Sequence, residues 1–153
     1  MERREQLIVV RGAGDLASAV IHRLHCCGFP VLALETERPA AIRRKVAFSE
    51  AVYKGESIVE GVRCRKAKQA DEVWEILRSG DVALLTDPRA ECLKQLKPWA
   101  LVDAILAKKN LGTSMDMAPK TIALGPGFTA GEAVQLVIET KRGHDLGRII
   151  REG

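Results

Sequence analysis

The segment IVVRGAGDLASAV, residues 8–20, constrains the fold more than any other part of this 153-residue chain. A β-branched run ends at two glycines. From Asp15 onward apolar side chains recur at helical spacing, with Leu16, Val20, Leu24 and Cys27 on one side. Gly28 stands where a helix-ending glycine belongs, and residues 31–34 form a second apolar run. Strand, helix and strand in that order imply parallel strands joined by a right-handed crossover.

The same reading continues along the chain. Residues 57–59 and 62–65, split by Glu60-Gly61, have the pattern of a small hairpin. Residues 71–78 are helical and stop at Gly80, and residues 82–85 are a strand. Pro88 suits the first turn of a helix that Pro98 closes. Residues 100–106, 121–124, 134–139 and 148–150 are further strand candidates. Strands alternating with helices predict one α/β domain with a largely parallel sheet, carrying the hairpin and the closing strands as antiparallel additions.

Composition excludes several classes. Hydrophobic residues make up 46% and charged residues 29%, the balance of a globular protein. No apolar run approaches the roughly 20 residues that span a bilayer. The N-terminal MERREQ lacks the apolar core of a signal peptide, so the expected location is the cytoplasm. A net charge of +4 with six aromatics argues against nucleic acid, which asks for a basic face and stacking platforms. None of the cysteines, Cys26, Cys27, Cys64 and Cys92, is spaced as CxxC, and reduced thiols are expected.

The glycine turn carries the chemistry. Residues 12–17, GAGDLA, fit GxGxxA between a strand and a helix, and Glu35 follows Gly14 by 21 residues at the end of the second strand. In a dinucleotide-binding fold Gly12 permits the turn, Gly14 lets the backbone approach pyrophosphate, Ala17 allows close helix packing, and the acid takes ribose hydroxyls. Asp15 opposes this reading. An aspartate in the first helical turn can cap the helix itself and occupy the anion's place, although Arg11 could compensate. Two readings stay open: a nucleotide or other anionic ligand, or a self-capped structural turn.

Other polar residues gather at predicted strand ends, where open parallel sheets bind ligands. They are Thr86-Asp87 and Gly125-Pro126-Gly127-Phe128, the latter a candidate anion nest. Arg38, Arg43, Arg44 and Lys45 could meet an extra phosphate or form a solvated face. Asp103 lies within an apolar strand, either open to solvent or held by Lys108 or Lys109. His22 and Cys26 stand one helical turn apart, but two ligands do not make a metal site. His144, flanked by glycine in a polar loop, is a candidate functional residue. No residue is identifiable as catalytic.

Two blocks, VRGAGDLASAVIHRLHCCGFPVLALETERPAAIRRKVAFSEAVYKG and GPGFTAGEAVQLVIETKRGHDLGRII, resemble the YqeB-like accessory proteins of selenium-dependent molybdenum hydroxylases. The resemblance covers nearly the whole chain. It implies a Rossmann-like fold with helices on both faces, and a role in maturing a molybdenum hydroxylase. The hydroxylase or its other accessory proteins would then be partners, and a homo-oligomer is compatible with the sequence. Matching motif positions are Arg11, Gly12, Gly14, Asp15, Arg43, Ser49, Glu50, Gly125, Gly127, Phe128, Arg142, Gly143 and His144. It also implies a further β-rich region beyond the RGH segment, which this chain is expected to lack. Alternative readings are an NAD(P)-dependent oxidoreductase, favoured by GxGxxA and Glu35, and a ligand-free interaction scaffold.

Overall fold

Four of the central strands are apolar at nearly every position, so both sheet faces must be covered. The computed structural model describes residues 2–39, 47–107, 109–125, 127–139, 147 and 149–151. Its elements run β1 (Ile8–Arg11), α1 (Asp15–Cys26), β2 (Val31–Glu35), α2 (Ala51–Lys54), β3 (Glu56–Val59), β4 (Val62–Ala67), α3 (Val73–Arg78), β5 (Val82–Thr86), α4 (Leu93–Leu96), β6 (Ala100–Asp103), β7 (Lys120–Leu124), β8 (Leu136–Ile138) and β9 (Ile149–Ile150). They build one sheet in the order β3-β4-β5-β2-β1-β6-β7-β8-β9. All neighbours are parallel except the hairpin β3–β4 and the closing pair β8–β9. This is the expected Rossmann-like α/β architecture with antiparallel additions at both edges.

Side-chain alternation along β1 divides the core. Ile8 and Val10 point to the face that carries α1 and the segment around Phe48. Leu7 and Val9 point to the other face, with Val73, Leu77 and Leu93 of α3 and α4. A third cluster, Ala123, Ala130, Val134 and Val137, closes the β7–β8 end. Among the described residues, no helix is long and apolar enough to cross a membrane.

The hairpin forms where the sequence places it. Glu60 and Gly61 both take positive φ, the conformation that a two-residue turn needs to match strand twist. β4 then pairs in parallel with β5 and extends the sheet.

Three expectations need correction. Helix α1 buries Ala17, Ser18 and Ile21, whereas Leu16 is 40% exposed and Cys27 is exposed. The small residues Ala17 and Ser18 let the helix sit close to the strands, and that close approach selects the buried face. Pro88 opens no helix: α4 begins only at Leu93, because the Asp87 carboxylate first takes the N–H groups of Glu91 and Cys92 and holds a turn there. Strand β6 stops at Asp103 rather than at residue 106. Beyond it the chain turns away, and Leu106 adopts φ +62°.

Asp81 ties the start of β5 to β4. Its Oδ2 accepts hydrogen bonds from Arg63 Nε at 3.0 Å and Arg65 Nε at 2.8 Å. Burial pushes the Asp81 carboxyl upward, but the two arginines outweigh it and hold the group below its ordinary 3.8. A depressed carboxyl value means stability that is complete above pH 3.8 and lost as pH falls through the folded-state value. Urea denaturation of Asp81→Asn should therefore show a lower midpoint than wild type at pH 7. The two midpoints should converge as pH falls through the depressed folded-state value and the wild-type carboxyl protonates. Equal midpoints at pH 7 would remove the clamp.

Candidate functional site

β1 sits between β2 and β6, and the chain reaches them in opposite directions across the sheet. That reversal opens a crevice at the carboxyl ends of β1 and β6, the place where open α/β sheets bind ligands. The crevice is real: a cleft of about 450 Å³ is lined by Gly12, Gly14, Asp15, Glu35 and Asp87, with Leu111 across from them. Arg11 and Ala17 also border it.

The two glycines do different work. Gly12 has φ +108°, and a Cβ there would lie 2.9 Å from the Ala104 carbonyl oxygen. Its N–H donates to Leu34 O at 2.7 Å, so β1, β2 and β6 converge on a backbone that admits no side chain. Gly14 differs on both counts. Its φ of −74° suits any residue, and a Cβ there would meet nothing within 4 Å. The fold does not need glycine at 14.

Gly14 is also the N-cap of α1 and makes no side-chain cap bond. The cap thus falls one residue before Asp15, which is the first helical residue and not its cap. The N–H groups of the first turn have no acceptor within the helix, and the positive end of the helix dipole faces the cleft.

Arg11 is 3% exposed and spends its guanidinium on the protein. Nη1 donates to Thr113 Oγ1 at 2.7 Å, and Nη2 to Pro88 O at 2.7 Å and Leu111 O at 3.1 Å. Thr113 in turn donates to Asp103 Oδ2 at 2.6 Å, and Asp103 Oδ1 accepts from Ile105 N at 3.1 Å. Arg11 and Asp103 are register partners on β1 and β6. The described partners of Asp103 are therefore Thr113 and its own turn, not a lysine, and the group is buried. Arg11 is a pin under the cleft that fixes the wall formed by the 104–113 loop.

Glu35 turns its carboxylate onto the glycine turn. Oε1 accepts from Ala13 N at 3.0 Å and Oε2 from Thr36 N at 2.7 Å. Each oxygen keeps a further lone pair for a ligand hydroxyl. Behind the turn, Ala13 O accepts from Ser49 N at 2.9 Å and from Ser18 Oγ at 3.0 Å. Ser49 thus serves the turn's backbone. Asp87 borders the cleft, but its carboxylate holds the turn before α4.

The remaining candidates lie elsewhere. Gly125, Gly127 and Phe128 follow β7, two strands from β1, and none of them lines the cleft. Phe128 packs on the third core cluster. Arg43 and His144 fall outside the described residues, as do Arg44, Lys45, Arg142 and Gly143. No group of three or more His, Cys, Asp or Glu among the described residues is placed to hold a metal ion. A larger cavity, about 700 Å³, opens at the opposite strand ends beside Phe29, Trp74 and Asp81, remote from the glycine turn.

Sequence reading missed Thr113 and the cleft wall. A signal was present in Asn110-Leu111-Gly112-Thr113. Asn110 Oδ1 accepts from the N–H groups of Gly112 and Thr113, and Nδ2 donates to Thr113 O. This is the self-bonding Asx pattern that marks an ordered turn.

Strand order and cleft together define a doubly wound α/β protein with a ligand-sized crevice at its switch point. The chain is 54% identical over 148 residues to the uncharacterized protein YqeB of Escherichia coli strain K12, a match that takes in 97% of the chain. It spans about a quarter, 27%, of that protein's length. No protein-family model matches the chain, and no solved structure does.

Gly12→Ala should lower stability by roughly 1–3 kcal/mol or more, because a left-handed backbone and a clash with Ala104 O act together. Thr113→Val should cost roughly 1–3 kcal/mol by stranding the Arg11 and Asp103 groups it joins. Urea denaturation of each variant measures these losses. Wild-type midpoints would show that the turn and the pin bear no stress.

Proposed function

We propose that the chain binds a nucleotide or dinucleotide over its glycine turn. We further propose that it acts as an accessory factor in maturing a selenium-dependent molybdenum hydroxylase. Gly14 carries the first part. A residue that needs neither a special φ nor close packing is still glycine, at the mouth of a cleft and at a helix N-terminus. Close approach of a ligand to the backbone accounts for that choice, as pyrophosphate does in dinucleotide-binding turns. The second part rests on the resemblance of the two sequence blocks to the YqeB-like accessory proteins. The E. coli relative adds no activity, since its name records none.

The charges narrow the ligand class. Arg11 is committed to the protein, and Asp15 and Glu35 both border the cleft. A compact, highly charged anion such as inorganic phosphate meets two carboxylates there. A nucleotide instead offers ribose hydroxyls to the spare lone pairs of Glu35 while its phosphate reaches the helix N-terminus. Nucleotides should therefore bind and free phosphate should not.

Mass spectrometry of small molecules released from the gently purified protein, with a thermal-shift panel of nucleotides and dinucleotides, tests this. A bound nucleotide at a hundred times its Kd should stabilise the fold by about 2.7 kcal/mol. Gly14→Ser separates site from scaffold, because serine is at least as good an N-cap as glycine. It should keep the unliganded melting temperature and abolish the ligand-induced rise. A blank panel with the wild-type protein contradicts the proposal.

A further inference from the structure

We propose that Cys26 is a reactive thiol that His22 activates toward soft electrophiles, with low-molecular-weight disulfides as the class it takes up. Both residues lie on α1, one turn apart, away from the glycine turn. Cys26 Sγ is 3.7 Å from His22 Nδ1. His22 Nε2 is 3.3 Å from the carbonyl oxygen of Glu60. A carbonyl oxygen can only accept, so Nε2 carries the proton and donates it. Nδ1 is left with its lone pair facing the thiol. The orienting acceptor comes from the β3–β4 turn, outside the helix. Nucleophile, base and orienting group thus stand in the order that activates a thiol.

His25, also on α1, is held below its ordinary value by burial, with Asp81 opposing the shift and His22 adding to it. Of the four thiols, Cys26 is the one beside His22. The other thiols lack this setting. Cys27 is exposed and has no imidazole contact among the described residues. Cys64 and Cys92 are buried. Burial pushes both thiols up, and in Cys92 the Asp87 carboxylate adds to it. A thiol held in its protonated form is a poor nucleophile.

The exchange balances without an added oxidant. The Cys26 S–H bond breaks and its proton passes to His22 Nδ1. The sulfur attacks one sulfur of the incoming disulfide, a new S–S bond forms, and the old one breaks. The departing thiolate takes the proton back from His22. One disulfide is consumed and one mixed disulfide is made.

The test incubates the full chain with oxidised glutathione and quantifies each cysteine's adduct by peptide mass spectrometry over time. Cys26 should be modified at least about tenfold faster than Cys27, with Cys64 and Cys92 unmodified. His22→Asn should slow Cys26 by about tenfold or more, a modest part of the roughly hundredfold that a positioned base can supply. The Cys27 rate should not move. Equal rates at Cys26 and Cys27 would overturn the proposal. So would a His22→Asn protein in which Cys26 is unchanged or both cysteines slow together. Modification of Cys64 and Cys92 in the variant would report unfolding, and the wild-type Cys26 to Cys27 ratio then decides.

Discussion

A guanidinium removed from water must find acceptors for its N–H groups, and much of the site follows from where Arg11 finds them. It stands at the end of the central strand, 3% exposed. Its acceptors are Pro88 O after β5, Leu111 O in the 104–113 loop, and the Thr113 hydroxyl that leads to Asp103 on β6. One side chain therefore couples the strand-end loops on both sides of the crevice. Charge-assisted hydrogen bonds of this kind are the strong ones, and leaving any of these groups unpaired is costly. The cleft is held at a fixed width by a buried network rather than by the ligand it would admit.

Around that pin the glycine turn does two jobs with two glycines. Gly12 satisfies the fold, because three strands bring their backbones together there. Gly14 is free of that demand and faces the open cleft. The motif reads as a single pattern, yet its first glycine answers to packing and its second to whatever enters. Glu35 belongs to both roles. It braces the Ala13 and Thr36 N–H groups and keeps lone pairs toward the cleft.

The doubly wound core was legible because its signals are local. The run before Gly12, the helical spacing after Asp15 and the Glu60-Gly61 turn each report on their own residues. Strand-end positions at Gly12, Gly14, Asp15, Glu35 and Asp87 follow from topology and border one cleft, whereas Gly125, Gly127 and Phe128, expected at the same crevice, do not line it. What stayed hidden depends on contacts across the sequence. That Arg11 is spent on Thr113, 102 residues away, has no local mark. Neither does the approach of Ala104 O to Gly12. The apolar stripe of α1 held in part: Val20 and Leu24 pack against the core beside buried Ala17, Ser18 and Ile21, while Leu16 is diverted to the cleft rim. Pro88 misled because the Asp87 carboxylate claims the N–H groups of Glu91 and Cys92 before a helix can start.

In the proposed complex a nucleotide sits at the N-terminus of α1, against Gly14 and Glu35. Amide chemical shifts in a ¹⁵N-labelled protein, followed while the best nucleotide from the panel is titrated in, address it residue by residue. The amides of Gly14, Leu16, Ala17 and Thr36 should shift together and saturate, while those of Phe29 and Trp74 at the opposite cavity stay still. Shifts confined to that cavity, or none at saturating nucleotide, would contradict it.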